Sequence, residues 1–245
     1  VPEGLAAMTP PMHLRAAAGG AAIDLLLAAT KPPTLEGDRG LSRKGAQPGD
    51  ASYYYSVTRM ASRGTLRLPE GSFAVAGLSW MDREWSTSAL SGEQVGWDWF
   101  ALQLDDGREL MLYRLRLRGG GDDAASGGTL IGRDGEALAL HRADWTLRAS
   151  ELWVSPKSGA RYPALWHLEV PGGGLDLTVR PLAADQELNL SFQYWEGAVE
   201  VSGVAAGGRP VHGRGYVELT GYAAEPAAGA APPADRVDRD GGARR

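Results

Sequence analysis

The chain has 245 residues, enough for one large domain or two small ones, and 43% of them are hydrophobic. A net charge of −5 and a pI near 5.4 leave no overall basic surface for nucleic acid or an anionic membrane. Cysteine is absent, which excludes disulfides, thiolate chemistry and Cys-based zinc or iron–sulfur sites, and the scattered His13, His141, His167 and His212 lack metal-ligand spacing, so no metal is expected.

Short runs that alternate apolar and polar residues between Gly, Pro and Asp predict an all-β fold. Met12–Ala29 reads as two strands, MHLRAAA and AAIDLLLAA, which need a partner sheet because two strands are not stable alone. The second run is too short to cross a bilayer and carries Asp24. No basic segment followed by an apolar stretch marks an export signal. Lys31–Ala51 is rich in Pro, Gly and charge and reads as a linker. Strands are then expected at Tyr53–Met60, Gly64–Leu68, Phe73–Trp80, Trp97–Leu104 and Glu109–Leu117, with further short ones through Gly215–Tyr222. Asp105-Asp106-Gly107 and Arg133-Asp134-Gly135 have the chemistry of hairpin turns. Such regular short strands favour an antiparallel barrel or sandwich. The Ala/Pro/Gly-rich, charged residues 223–245 are expected to be disordered.

Gly77–Phe100, GLSWMDREWSTSALSGEQVGWDWF, concentrates the chemistry. It holds Trp80, Trp85, Trp97 and Trp99 among Asp82, Glu84, Glu93 and Asp98. Composition alone favours core packing for these indoles. A carboxyl desolvated beside indoles also becomes a proton donor, and indole faces hold cations. Strand alternation places Trp80, Asp82 and Glu84 opposite Met81, Arg83 and Trp85. It places Trp97 and Trp99 opposite Asp98 and Phe100, and Met111, Tyr113 and Leu115 opposite a solvent-facing Leu112, Arg114 and Arg116. Asp82 and Trp85 share a site only if a bulge or bend intervenes. Glu187, Tyr194, Trp195 and Glu196 form a second aromatic–acid cluster. The Gly119–Asp123 run lacks a phosphate-loop context, and no GxSxG elbow is present.

Several blocks occur in a telling order: GDRGLSRKG (Gly37–Gly45), ASYYYSVTRM (Ala51–Met60), GLSWMDREWS (Gly77–Ser86), GWDWFALQLDDGRELMLYRLR (Gly96–Arg116), ARYPALWHLEVP (Ala160–Pro171), YWEGAVEVSG (Tyr194–Gly203) and GRGYVELTGY (Gly213–Tyr222). Over Leu14–Tyr222 the chain resembles the AttH/carotenoid 1,2-hydratase family, also called hydroxyneurosporene synthase-like. The resemblance implies two lipocalin-like (calycin-type) β-barrels in tandem. Residues 1–30 would be the terminal strands of an incomplete N-terminal barrel, 31–51 a linker and 52–222 the C-terminal barrel. The rest of the first barrel would be an intramolecular partner. Arg83 stands where some hydratases carry His.

The implied reaction adds water to a C=C bond of an apolar isoprenoid or carotenoid-like molecule, through protonation and carbocation capture, with no cofactor. The resemblance points to Asp82 as acid, with Asp98 second. Trp85, Trp97 and Tyr113 would stabilise the cation, and Trp80, Trp99, Met111 and Trp195 would complete the wall. It also implies an envelope or periplasmic setting and peripheral membrane access to substrate. A lipocalin-like binder of an apolar ligand, and an isomerase or cyclase of a polyene, are the alternatives.

Overall fold

The computed structural model describes residues 11–86, 90, 92–189 and 192–222. Strands make up 68% of it and helix 4%, as the alternating sequence pattern requires. The tail expected to be disordered lies outside the described residues.

Two antiparallel sheets divide the strands. The six-stranded sheet holds β1 (Met12–Ala18), β2 (Ala21–Ala29), β3 (Thr34–Leu35), β4 (Leu41–Arg43), β5 (Ala51–Leu68) and β6 (Gly71–Ser86). One edge of β5 pairs in turn with β4, β3 and β2, while β6 pairs with the other along almost its whole length. The ten-stranded sheet holds β7 (Gln94–Leu104), β8 (Glu109–Leu117), β9 (Gly127–Ile131), β10 (Ala137–His141), β11 (Thr146–Val154), β12 (Arg161–Val170), β13 (Leu175–Pro181), β14 (Glu187–Asn189), β15 (Gln193–Ala205) and β16 (Arg209–Thr220). Its order is β10-β9-β8-β7-β16-β15-β13-β12-β11, with β14 on β15. It curls into the half-barrel of a lipocalin-like fold.

Three expectations change. Residues 31–51 are not an unpaired linker, because β3 and β4 both bond to β5. Their tight connection uses Gly37 at φ 69°, where a Cβ would collide with the Leu41 carbonyl. The boundary near Ser52 is not a break between sheets either. β5 continues the sheet of β1 and β2, and the change of sheet falls between Ser86 and Gln94. Finally, Tyr53–Met60 and Gly64–Leu68 are one 18-residue strand. Val57 pairs with Met81 and Met60 with Ser79, so Thr58 and Arg59 together oppose Trp80. This bulge bends β5 and re-aims its side chains instead of ending the strand.

The interior of the curled sheet is filled. Phe100, Leu102, Leu112, Trp166, Trp195 and Leu219 belong to one buried cluster, with Trp166 edge-on to Phe100 at 5.6 Å. The opposite side of β7 and β8 is covered by the first sheet. There Met111, Tyr113 and Leu115 pack with Tyr54, against Trp80, Trp97 and Trp99. Both faces of β8 are therefore buried, and Leu112 has no exposed surface. Arg114 and Arg116, expected to face solvent, instead pair with Asp98 at 2.9 and 3.0 Å.

Glu109 ties the sheets together. It has no exposed surface and meets Lys31 at 2.7 Å and the Arg59 guanidinium, both from the first-sheet segment. Lys31 also donates to the Gly107 and Gly132 carbonyls, and Arg59 to that of Leu104. Removing one member of a buried ion group strands the others without compensation. Glu109→Ala is expected to lower unfolding stability by about 3–5 kcal/mol, read as a shift in the denaturant midpoint at unchanged slope; a shift below about 1 kcal/mol would place this contact among surface pairs.

Candidate functional site

The facing sides of the two sheets enclose a cavity of about 370 Å³. β5 and β6 bring Tyr54, Asp82 and Glu84 to it; β7, β8 and β16 bring Trp97, Trp99, Tyr113, Leu115 and Glu218; the segment before β5 brings Lys44. The site thus lies between the sheets and not inside the curled one, whose interior is packed.

Asp82 has three donors on one oxygen. Ser56 Oγ donates to Oδ1 at 2.6 Å, Tyr54 OH at 3.0 Å and Trp80 Nε1 at 3.0 Å. Oδ2 receives none of these. Burial raises the Asp82 pKa, the three donors ease its ionisation, and the Glu84 charge opposes it; the net direction is upward. Tyr54 also accepts from Trp99 Nε1 at 3.2 Å, and Trp80 stands edge-on to Trp99 at 6.4 Å. One network therefore joins Asp82 to the indole wall.

Lys44 occupies the tyrosine end. Its ammonium lies 4.1 Å from the centre of the Tyr113 ring and 5.3 Å from that of Tyr54. It is 3.2 Å from a Glu84 oxygen, which also accepts from Ser52 Oγ at 2.5 Å. Burial pushes the Tyr54 and Tyr113 phenols up, so both remain neutral at physiological pH. At the other end, Trp97 Nε1 donates to Glu218 Oε1 at 2.5 Å, and Tyr194 meets Trp97 edge-on.

Of the residues singled out in the sequence, Asp82, Tyr113, Trp97 and Trp99 meet in this cavity, with Trp80 bonded to Asp82. Four do not. Asp98 is on the opposite face of β7, fully buried between Arg114 and Arg116, and accepts from Tyr222 OH at 2.9 Å. Two cations hold it, and it has no access to the cavity. Trp85 is 53% exposed and leans on Tyr55, because the bulge lies before Asp82 and leaves the later alternation intact. Arg83 shares that outer face. Trp195 is buried inside the curled sheet, donating to the Ala184 carbonyl. Met111 packs beside Tyr54 but opens to a neighbouring cavity of about 620 Å³, which shares Tyr113.

Sequence reasoning missed Lys44, Tyr54, Ser56 and Glu218, and it missed Glu36. Glu36 has no exposed surface; Thr129 Oγ1 donates to its Oε2 at 2.5 Å, while Oε1 is unpartnered. Burial is the main cause that pushes Glu36 up to about 7; the Asp82 charge adds to it, and Thr129 and Ser56 oppose it. Among the described residues no cluster of acids and histidines is arranged to hold a metal ion.

A family model for AttH-like proteins matches residues 3–222. The chain belongs to the AttH-like family. The crystal structure of an AttH protein from Nitrosomonas europaea is similar at 32% identity and a TM-score of 0.79, over 87% of this chain and 65% of that one. Kievitone hydratase from Nectria haematococca shares the fold at 21% identity and a TM-score of 0.68, over 85% of this chain and 64% of its own. The chain thus spans just under two thirds of the length of each of these two chains. A search of curated proteins finds no match.

The buried Glu36 makes stability pH-dependent in a fixed sense. Its folded pKa of about 7 lies above the ordinary glutamate value of 4.5. The folded state therefore holds more protons between these values, and the contribution, full below the lower, is lost as pH rises through the upper. Glu36→Gln is expected to flatten the stability profile and to exceed the parent above pH 7 by on the order of 3 kcal/mol, measured by denaturant unfolding from pH 4.5 to 8; parallel profiles for the two proteins would show that Glu36 does not titrate in this way.

Proposed function

We propose that this AttH-like chain acts in adding water to a carbon–carbon double bond of an apolar small molecule, by protonation of one alkene carbon and capture of the resulting cation. The observation that carries this reading is Asp82, a desolvated carboxyl at the wall of an aromatic cavity, with its three donors gathered on one oxygen. Such a carboxyl exchanges a proton with a bound substrate or water through its other oxygen.

The faces of Trp97 and Trp99 offer electron-rich surface to a developing cation. Tyr113, expected in that role, already carries the Lys44 ammonium on its ring. A cavity of about 370 Å³ is at the small end of ligand sites. This size supports the branched end of an isoprenoid as the reacting part, with a carotenoid-like molecule extending beyond it. The fold shared with kievitone hydratase supports the same reaction class. The chemistry calls for no metal or organic cofactor. Leu14, Leu26, Phe73 and Leu78, 44–48% exposed on the first sheet, support a further barrel segment as intramolecular partner. An envelope location, with substrate drawn from the membrane, accords with an apolar ligand.

Asp82→Asn separates catalysis from binding. The variant is expected to retain an acyclic carotene and to lose turnover by at least about 10²-fold. Product mass after incubation in ¹⁸O-labelled water is the readout, with one labelled water gained by the parent protein. A bound but unaltered carotene in the parent would assign a lipocalin-like binder. An unlabelled isomer would assign an isomerase or cyclase.

A further inference from the structure

Glu218 reaches the cavity from the second sheet and is backed by another carboxyl. Glu196 on β15 stands directly across from Glu218 on β16. As cross-strand partners the two side chains share one face of the sheet and lie side by side. Two carboxyls directly across a strand pair resist joint ionisation, because neighbouring like charges disfavour each other, so the pair favours holding one proton. Asp82 is arranged in the opposite way. Three neutral donors converge on its Oδ1 and ease its ionisation against the burial that raises its pKa, and none of them donates to Oδ2.

We propose that Glu218, with Glu196 behind it, is the proton donor of the cavity, and that Asp82 accepts the proton of the attacking water. This assignment rests on the hydration reading and revises the expectation that Asp82 is the acid. The proton shared by the glutamates passes from Glu218 to the less substituted alkene carbon, and the π pair becomes the new C–H bond. A water lone pair then forms the C–O bond at the cationic carbon. The surplus proton of that water goes to Asp82 Oδ2, the oxygen its three donors leave uncovered. Water has been added, and one proton has moved from the glutamate pair to Asp82. Exchange with solvent returns it.

The surroundings support these roles. Burial first, then the Glu196 and Glu84 charges, push Glu218 up to about 7, against the Trp97 hydrogen bond. Tyr194 lies beside the pair and remains neutral, its pKa raised by burial and by both glutamates. Trp97 bonds Glu218 Oε1 and lines the cavity, so the donor adjoins the indole face offered to the cation.

Two measurements test the assignment. The first needs no substrate: infrared titration of the carboxyl band in the parent protein, Glu218→Gln, Glu196→Gln and Asp82→Asn. Protonated-carboxyl intensity at pH 7 is expected to fall in both glutamate variants and to persist in Asp82→Asn. Loss confined to Asp82→Asn would overturn the proposal. The second follows deuterium uptake from D₂O into recovered acyclic carotene. Asp82→Asn is expected to keep uptake while losing the hydrated product; Glu218→Gln is expected to lose both, by about 10²–10⁴-fold. Uptake kept in Glu218→Gln and lost in Asp82→Asn would reverse the roles. A parent protein that neither hydrates nor exchanges the carotene would count against the hydration reading for that substrate, while the infrared result would still decide which carboxyl holds the proton.

Discussion

One fully buried carboxylate holds the two sheets together at the end away from the cavity. Glu109 belongs to β8, and its cationic partners Lys31 and Arg59 both come from the first-sheet segment. A carboxylate with no exposed surface persists only where cations and donors meet it. β8 is therefore held against β5, and the rest of the facing surface follows from strand periodicity. From Glu109, every second residue of β8 points the same way and leads through Met111 to Tyr113 and Leu115. From the bulge at Arg59, β5 leads back to Tyr54 and pairs with β6 as far as Asp82 and Glu84. The ion group lies at one end of this surface and the cavity at the other.

Charge within the cavity is segregated. Lys44 covers the tyrosine end and is paired with Glu84, so its positive charge is placed before any ligand arrives. A second cation beside it would be repelled. The remaining aromatic surface, Trp97 and Trp99, lies toward Glu218, and carboxyls approach it from both sheets. An electron-poor centre is favoured there and disfavoured next to Tyr113. Position along the cavity is thus selected by electrostatics as well as by shape.

Alternation was legible in the sequence, whereas what covered each face was not. The separation of Trp97 and Trp99 from Asp98 and Phe100 is readable in WDWF and holds in the fold. Yet both faces of β7 and β8 are buried, and a strand buried on both sides carries no polar stripe to mark the functional face. The Arg114 and Arg116 side chains looked solvent-bound because arginine is rarely interior; Asp98, on the neighbouring strand, is what draws them in. β3 and β4 are two and three residues long, too short for any period to register. Lys44 and Glu36 were lost with them inside an assumed linker. Glu218 sits in an unremarkable alternation, and only the register with Glu196 gives it chemical meaning.

The set of groups that chemistry would need is split between the sheets. Asp82 and its three donors Tyr54, Ser56 and Trp80 all come from the first sheet. The Glu196–Glu218 pair and the free indole faces all come from the second. Each half is positioned within its own sheet: one by side-chain donors within a hairpin, the other by a cross-strand register. Neither encloses a volume alone, so the cavity and the opposition of its carboxyls arise only where the sheets meet. The relation between them is set by contacts that cross from one sheet to the other: Glu109 with Lys31 and Arg59 at one end, Gln103 on the Thr58 and Ser79 carbonyls, and Trp99 on Tyr54 at the cavity itself.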